Sequence, residues 1–356
     1  AKAEGLWNLF LPGLRPDEPG TKLTNLEYAP LAEIMGQIMW ASEVFNCNAP
    51  DTGNMELLHM FASPEQYERW LKPLLAGEIR SCFAMTEPDS SSSDASNIST
   101  RIELQGDEWV INGRKWFITG AGEASHFILI ARTSDDVRHG LTAFLFHKDQ
   151  PGWKIVRRIG IMGPEEHGGH CELEFDGLEI PAENVLLGEG QGMKLTQIRL
   201  GPARLTHCMR WLGLSKRCVE IATAYAAERH GFGVRLADRE SIQMMLGDLA
   251  MGIEIGRLLV MKAAWALDRG SFAKKEVSMA KVHVANLLHK AADTAIQING
   301  ARGYSTDTVL EWIYRYARQA RLVDGADEVH KMVLNRHLEN EGRAFWTWDV
   351  AAGAQP

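Results

Sequence analysis

Apolar side chains recur at mixed spacings of three and four over residues 22–47 (Leu31, Ile34, Met35, Ile38, Met39), and again over residues 56–75 around Met60, Trp70 and Leu74. That spacing returns side chains to one face of a helix, so both stretches are predicted helical. From about Ser81 the period shortens to two, through Ile102 and Leu104, Trp109 and Ile111, Phe127 to Ala131, Ala143 to Phe146, Ile155, and Glu172 to Phe175. Alternation of this kind predicts strands. Gly106-Asp107 and Asn112-Gly113 fall between such runs. Asn-Gly is the stronger hairpin signal because both turn positions need positive φ, and it predicts a hairpin over Trp109 to Phe117.

Past Gly192 the helical period returns and holds over residues 193–230, 241–269, 274–298, 307–321 and 327–341, with Gly270 and Gly300 placed to stop helices. Long helices with stripes such as Leu246, Leu249, Ile253, Ile255 and Leu259 pack as antiparallel bundles. The expected fold is therefore α+β and multidomain. It has an N-terminal helical domain (1–80), a middle antiparallel β-barrel or sandwich domain (81–191) and a C-terminal antiparallel four-helix bundle (192–345).

Composition narrows what this fold can do. The chain has 356 residues, 45% hydrophobic and 24% charged, which is the balance of a chain that buries a core rather than a disordered one. Its formal charge of -8, without a Lys/Arg-rich run, opposes binding to nucleic acid or anionic lipid. The longest apolar runs fall short of the ~20 residues that cross a bilayer. Five dispersed cysteines, Cys47, Cys82, Cys171, Cys208 and Cys218, never form a Cys-x-x-Cys pair and fit a reducing compartment. The first residues carry no secretory signal, so secretion is not expected.

Common catalytic signatures are missing: no Walker loop, no His-Glu-x-x-His and no Gly-x-Ser-x-Gly occurs. Gly120-Ala-Gly122 and Gly188-Glu-Gly190-Gln-Gly192 look like fragments of a dinucleotide fingerprint, but neither opens a helix after a parallel strand. His167-Gly-Gly-His170-Cys171 has no distant partner cluster and makes a weak zinc signal, so no metal is expected.

The informative stretches are Cys82-Phe-Ala-Met-Thr86-Glu87-Pro88-Asp-Ser-Ser-Ser-Ser93-Asp94 and Ile111-Asn112-Gly113-Arg-Lys115-Trp-Phe117-Ile-Thr119-Gly120. Together they resemble the acyl-CoA dehydrogenases, whose forms are Thr-Glu-Pro with a following Ser-Asp, then Asn-Gly-x-Lys-x-(Trp/Phe)-Ile-(Thr/Ser). The resemblance runs collinearly through Glu179 to Gly188, Tyr225 to Gly233, Gln297 to Tyr304 and Asp324-Gly325. Asn46 to Met55 and Leu200 to Arg204 extend it to the branch that in animals is fused to an aminoglycoside-phosphotransferase-like domain. The chain is expected to correspond to the dehydrogenase-like part and to lack its relatives' first helices.

The resemblance implies bound FAD and an acyl-CoA substrate. An isoalloxazine ring needs polar partners along its pyrimidine edge, an aromatic wall and a cradle for two phosphates. By resemblance Met85 and Thr86 meet the flavin edge, Phe117 covers one face, Thr119 bonds nearby and Ser93 faces the pyrophosphate. Arg229, Phe232, Gln297 and Gly300 are implied to hold the adenosine diphosphate portion of a neighbouring subunit's cofactor, which implies a homo-oligomer, a dimer of dimers. Glu240 departs from relatives that carry a cofactor-touching glutamine there, and a carboxylate would repel pyrophosphate.

Relatives remove the α proton of a fatty acyl thioester with a carboxylate while the β hydride passes to flavin, giving the trans-2-enoyl product of β-oxidation. Asp324 takes that position here, one methylene shorter than the usual Glu, with its N–H available to the thioester oxygen. Relatives that carry the base before the helix arginine have no counterpart, because that residue is Ala203; Arg204 is implied to support the Asp324 loop. An electron-transfer flavoprotein is the implied acceptor. The compartment is the cytoplasm if the source is bacterial, otherwise mitochondrion or peroxisome. Two rivals stay open. A nitroalkane oxidase-like flavin oxidase of the same fold also uses Asp, but with an arginine seven residues on where this chain has Lys331; the other is a non-catalytic assembly or scaffold protein.

Overall fold

The computed structural model describes residues 1–91, 93–163 and 168–346. The two long N-terminal helices expected from periodicity are each interrupted once, giving α1 (Asn25–Gly36), α2 (Ala41–Val44), α3 (Asp51–Phe61), and α4 (Pro64–Gln66) joined to α5 (Lys72–Ala76) through a π-helical turn (Tyr67–Leu71). Local capping explains the second break. Ser63 and Gln66 exchange side-chain and backbone hydrogen bonds in a capping box, and Pro64, having no N–H to donate, starts a helix better than it continues one. Thr24 and Glu27 cap α1 in the same way.

Seven strands follow: β1 (Ser81–Ala84), β2 (Arg101–Gln105), β3 (Glu108–Thr119), β4 (His126–Arg132), β5 (Leu141–His147), β6 (Trp153–Arg158) and β7 (His170–Pro181). The sheet runs β1-β4-β2-β3-β7-β6, with β5 along β4. Since β5 occupies one edge of β4 from His126 to Arg132, β1 and the start of β2 share its other edge, both parallel to it. The remaining pairs are antiparallel, so the sheet is mixed rather than wholly antiparallel. Period two distributes β4 between two cores: Phe127, Leu129 and Ala131 pack within the sheet, whereas Ile128 and Ile130 join the larger core shared with the helices.

The expected hairpin at Asn112-Gly113 is not a turn. Gly106-Asp107 turns the chain between β2 and β3, and Asn112 and Gly113 lie inside the twelve-residue β3 at a register shift against β7. Asn112 Oδ1 accepts from Gly177 N at 2.9 Å, and a Cβ on Gly113 would come within 2.8 Å of Thr100. The dipeptide therefore serves a bulge and a close side-chain approach.

The rest is helical: α6 (Gly192–Glu228), α7 (Glu240–Asp268), α8 (Lys274–Asn299), α9 (Ala301–Tyr304), α10 (Leu310–Ala317) and α11 (Asp327–Trp346). Positive φ at Gly270 and Gly300 ends α7 and α8. Helix α1 crosses α6 at backbone contact, because a methyl built at Gly36 would strike the Arg210 carbonyl and one at Gly213 the Glu33 carbonyl. Buried Lys281 on α8 pairs with Asp327 at 3.2 Å and so fixes the start of α11. Among the described residues no helix is long and apolar enough to cross a membrane, and all five cysteines are free and buried.

Candidate active site

The Thr-Glu-Pro segment and β3 are tied together by a buried ion pair. Lys115 Nζ lies 2.8 Å from Glu87 Oε1 and 2.9 Å from the Met85 carbonyl oxygen. Glu87 also accepts from Thr100 N (2.9 Å), Ser99 N (2.7 Å) and Ser99 Oγ (2.7 Å). Burial alone would raise its carboxyl, but the Lys115 charge and these donors outweigh it and hold the group at about 2.

Directly after Lys115 the β3–β7 register slips. Lys115 faces Leu173 and Ile118 faces Cys171, so Trp116 and Phe117 stand opposite the single Glu172. The extra residue bulges. Trp116 N donates to the Thr86 carbonyl at 2.9 Å, and Thr86 Oγ1 to the Trp116 carbonyl at 2.5 Å. Phe117 is left with φ of 50° and 44% of its surface exposed, although it sits amid buried strand residues. A bulky residue in left-handed backbone, held by its neighbours and turned outward, is the strain a ligand clamp retains. Thr119 Oγ1 lies 3.0 Å from His170 Nδ1 on β7. The structure thus brings Met85, Thr86, Phe117 and Thr119 together through shared neighbours: Lys115 holds the Met85 carbonyl, Thr86 bonds Trp116, and both Thr119 and exposed Phe117 lie beside His170, an aromatic face with polar groups near it. That donor set fits a planar heteroaromatic cofactor.

Ser93 lies exposed in the turn before Asp94, whose carboxylate caps the residues that follow by accepting from Ser96. Arg229, Phe232, Gln297 and Gly300 are elsewhere, all exposed on the helical part. Phe232 has φ of 54° and is fully exposed on the short ribbon (His230–Gly231, Val234–Arg235) after α6. Among the described residues none of these four contributes a side-chain hydrogen bond within the chain. Glu240 opens α7 and is exposed. His167 lies outside the described residues, and His170 is engaged by Thr119.

Asp324 sits in the loop before α11 with φ of 53°. Its carbonyl oxygen accepts from Arg204 Nε at 2.7 Å, and His330 Nε2 lies 3.3 Å away. Burial pushes the His330 ring down to about 4, so it is neutral at pH 7. A carbonyl can only accept, so Nε2 carries the proton and Nδ1 accepts from Ser278 Oγ at 3.0 Å. The Asp324 carboxylate points at α6. Oδ2 is 3.3 Å from His207 Nε2, yet it is buried with no aligned hydrogen-bond partner among the described residues.

The sequence reading missed Arg199 and His207 of α6, which face this carboxylate, and Glu56 of α3, which faces Arg199. Buried Arg199 stacks 4.5 Å over Phe83 of β1 and donates to Asn54 Oδ1 at 3.3 Å, which joins α6 to α3 and to the strand leading into Met85. Glu56 keeps some accessible surface, yet the atoms crowding its carboxyl push it up to about 8 against the opposing Arg199 charge. The signal was available. Residues 199, 203, 207 and 210 fall at helical spacing on one face of α6, which attention to Ala203 and Arg204 alone passed over. Lys331 is exposed.

A helical segment, a sheet whose bulge presents an aromatic wall, and a helix bundle carrying a pinned carboxylate define the class. The chain belongs to the acyl-CoA dehydrogenase family: residues 82–178 match the family's middle domain and residues 190–339 its C-terminal domain. Acyl-CoA dehydrogenase family member 11 of Gallus gallus is 43% identical over 345 residues, 94% of this chain and 44% of that protein. The chain therefore spans less than half the length of that relative. FadE2 of Mycobacterium tuberculosis is 43% identical over 353 residues, 97% of this chain and 85% of that protein. A solved acyl-CoA dehydrogenase family structure from Mycobacterium abscessus superposes with a TM-score of 0.92 at 43% identity, covering 96% and 85% of the two chains. The glutaryl-coenzyme A dehydrogenase complex with glutaryl-CoA gives 0.86 at 29% identity over 96% and 86%.

Proposed function

We propose that this chain is an FAD-dependent acyl-CoA dehydrogenase that converts a fatty acyl-CoA thioester to the trans-2-enoyl-CoA, with Asp324 as the base. The observation that carries this reading is the Asp324 carboxylate. Its backbone is pinned in left-handed conformation by Arg204 and His330, while Oδ2 is buried without an aligned donor. A fixed carboxylate with spare acceptor capacity is suited to taking a proton. The α proton goes to Asp324 and the β hydrogen leaves with its electron pair, so a C–C π bond forms. Bound FAD supplies the hydride acceptor.

Met85, Thr86, Phe117 and Thr119 would border the ring and Ser93 the pyrophosphate, while Arg229, Phe232, Gln297 and Gly300 would serve a neighbouring subunit's cofactor. Arg229 suits phosphate because its planar fork donates twice. Assembly as a dimer of dimers is supported by side chains left bare: Phe232, Tyr304, and the α7 stripe of Met244, Met251, Leu258 and Trp265, each at least half exposed. Division at residues 80 and 191 is supported by β1 beginning at Ser81 and α6 at Gly192. Electrons then pass to an electron-transfer flavoprotein, as the family resemblance implies, in the cytoplasm of a bacterium or in a mitochondrion or peroxisome.

Asp324→Asn tests the reading, since it keeps shape and removes the proton acceptor. Flavin content and acyl-CoA binding are expected to persist. Flavin reduction on rapid mixing falls by the ~100 to 10,000-fold that general-base loss brings. Reduction at the parent rate refutes the assignment.

A further inference from the structure

His207 lies one helical turn beyond Arg204, so a single face of α6 meets Asp324 twice. Arg204 takes its carbonyl oxygen, and His207 Nε2 stands 3.3 Å from its carboxylate oxygen. On the opposite side of the imidazole, Arg210 Nη2 lies 3.2 Å from Nδ1. A guanidinium has donors only, so Nδ1 must be the unprotonated nitrogen of this ring. The ring proton is then on Nε2, the nitrogen that faces Asp324. The ring is also restrained in plane, stacked on Trp211 with centroids 5.3 Å apart.

We infer that His207 is a positioning residue for the base, whose Nε2–H, assigned to that nitrogen by Arg210, directs and holds the Asp324 carboxylate. The inference rests on the reading of Asp324 as the base. The unmet acceptor marks the same contact: Asp324 Oδ2 is buried and lacks an aligned donor, and His207 Nε2, 3.3 Å away, is a donor within reach of it. The cations facing this pair are Arg199, Arg204 and Arg210 from α6 and Lys281 from α8; Cys208 of α6, a neutral thiol held up by burial, and neutral His330 of α11, which bears on the Asp324 carbonyl, also face it. A charged imidazole would add to that crowding, and burial first, then these cations against the Asp324 charge, keep the ring neutral with a fold value near 4. His207 therefore acts as a neutral donor that stabilises the ionised carboxylate and does not compete for its proton.

The experiment follows the rate constant of flavin reduction by a saturating acyl-CoA across pH, in parent holoenzyme and in His207→Phe, His207→Gln and Asp324→Asn. Phe keeps the ring on Trp211 and removes the donor, whereas Gln returns an N–H. His207→Phe should raise the midpoint of the acid limb by about one pH unit, the tenfold change that one lost charge-assisted hydrogen bond brings. His207→Gln should return most of that shift. An unchanged midpoint in His207→Phe, with Asp324→Asn slow, overturns this inference alone. Reduction at the parent rate in Asp324→Asn removes the base assignment and the inference with it. If His207→Phe fails to retain flavin, Arg210→Met, which frees the tautomer, should move the midpoint the same way by a smaller amount, and no movement counts against the proposal. A readout independent of turnover is 15N NMR of histidine-labelled protein, with His207 assigned by its loss in His207→Gln. Protonated Nε2 and bare Nδ1 at neutral pH are expected, and the reverse tautomer overturns the proposal.

Discussion

Replacing Lys115 by Met separates the cofactor border from its support, and the size of the effect follows from what is left behind. The ammonium is wholly buried and its partner nearly so, with side-chain exposures of 0% and 3%. Met nearly matches the stem but leaves a buried carboxylate facing apolar carbon where the ammonium stood, with the Ser90, Ser99 and Thr100 donors among its remaining partners. Removing one member of a buried pair costs about 3–5 kcal/mol, a large part of the ~5–15 kcal/mol that holds a domain. The Met85 carbonyl also loses its 2.9 Å donor, so the segment that positions Thr86 loosens. Urea denaturation, read by tryptophan fluorescence and by flavin release, measures both consequences: a lower midpoint and less flavin per chain. The double variant Glu87→Leu/Lys115→Met removes both charges and should be more stable than Lys115→Met alone. The reasoning fails if Lys115→Met stays within about 1 kcal/mol of the parent, or if the double variant is less stable than Lys115→Met alone.

Two further outcomes follow from the same physics. Burial, above all, pushes His126, His207 and His330 down to about 4, whereas an unfolded chain protonates its histidines near ~6.5. Between those values the unfolded state binds more protons, so stability falls as pH drops from about 6.5 towards 4 and these groups contribute no slope above that window; a series of thermal midpoints from pH 4 to 8 checks this. Gly213→Ala puts a methyl into the Glu33 carbonyl where α1 and α6 touch, so it should cost more than the ~1–3 kcal/mol of ordinary overpacking, and a melting temperature within 2 °C of the parent contradicts the contact.

Much of the fold was legible because period carries it. The strands and the C-terminal helices fall where alternation and the 3–4 spacing put them, with α7 and α8 ending beside Gly270 and Gly300. What escaped was decided by contacts between distant residues. Asn112-Gly113 has the chemistry of a turn, but Thr100 and Gly177 make it a bulge, and no window of neighbouring residues contains that information. The second N-terminal helix broke where capping by Ser63 and Gln66 outweighed periodicity. At the site, Arg204 reaching the Asp324 loop was implied by resemblance. His207, Arg199 and Glu56 needed three elements to converge, and only the α6 spacing hinted at the first two.

The position of the base can itself be tested, because the α6 face contains a small residue beside Arg204. Ala203 is buried at 4% exposure, one residue before the arginine that holds the Asp324 carbonyl. A carboxylate placed there would approach the same space from the helix instead of the loop. Asp324→Gly removes the native base and suits the backbone, since φ of 53° costs glycine nothing. Adding Ala203→Glu should then recover flavin reduction at least tenfold above Asp324→Gly alone, while remaining below the parent, because a shift near 1 Å in a reacting group costs ~100-fold. Overpacking at 203 costs about 1–3 kcal/mol, so flavin content and melting temperature must be measured in each variant to separate chemistry from folding. If the double variant holds flavin and binds acyl-CoA yet reduces it no faster than Asp324→Gly, the space between α6 and the Asp324 loop does not contain the α carbon. The substrate must then lie on another side of that loop.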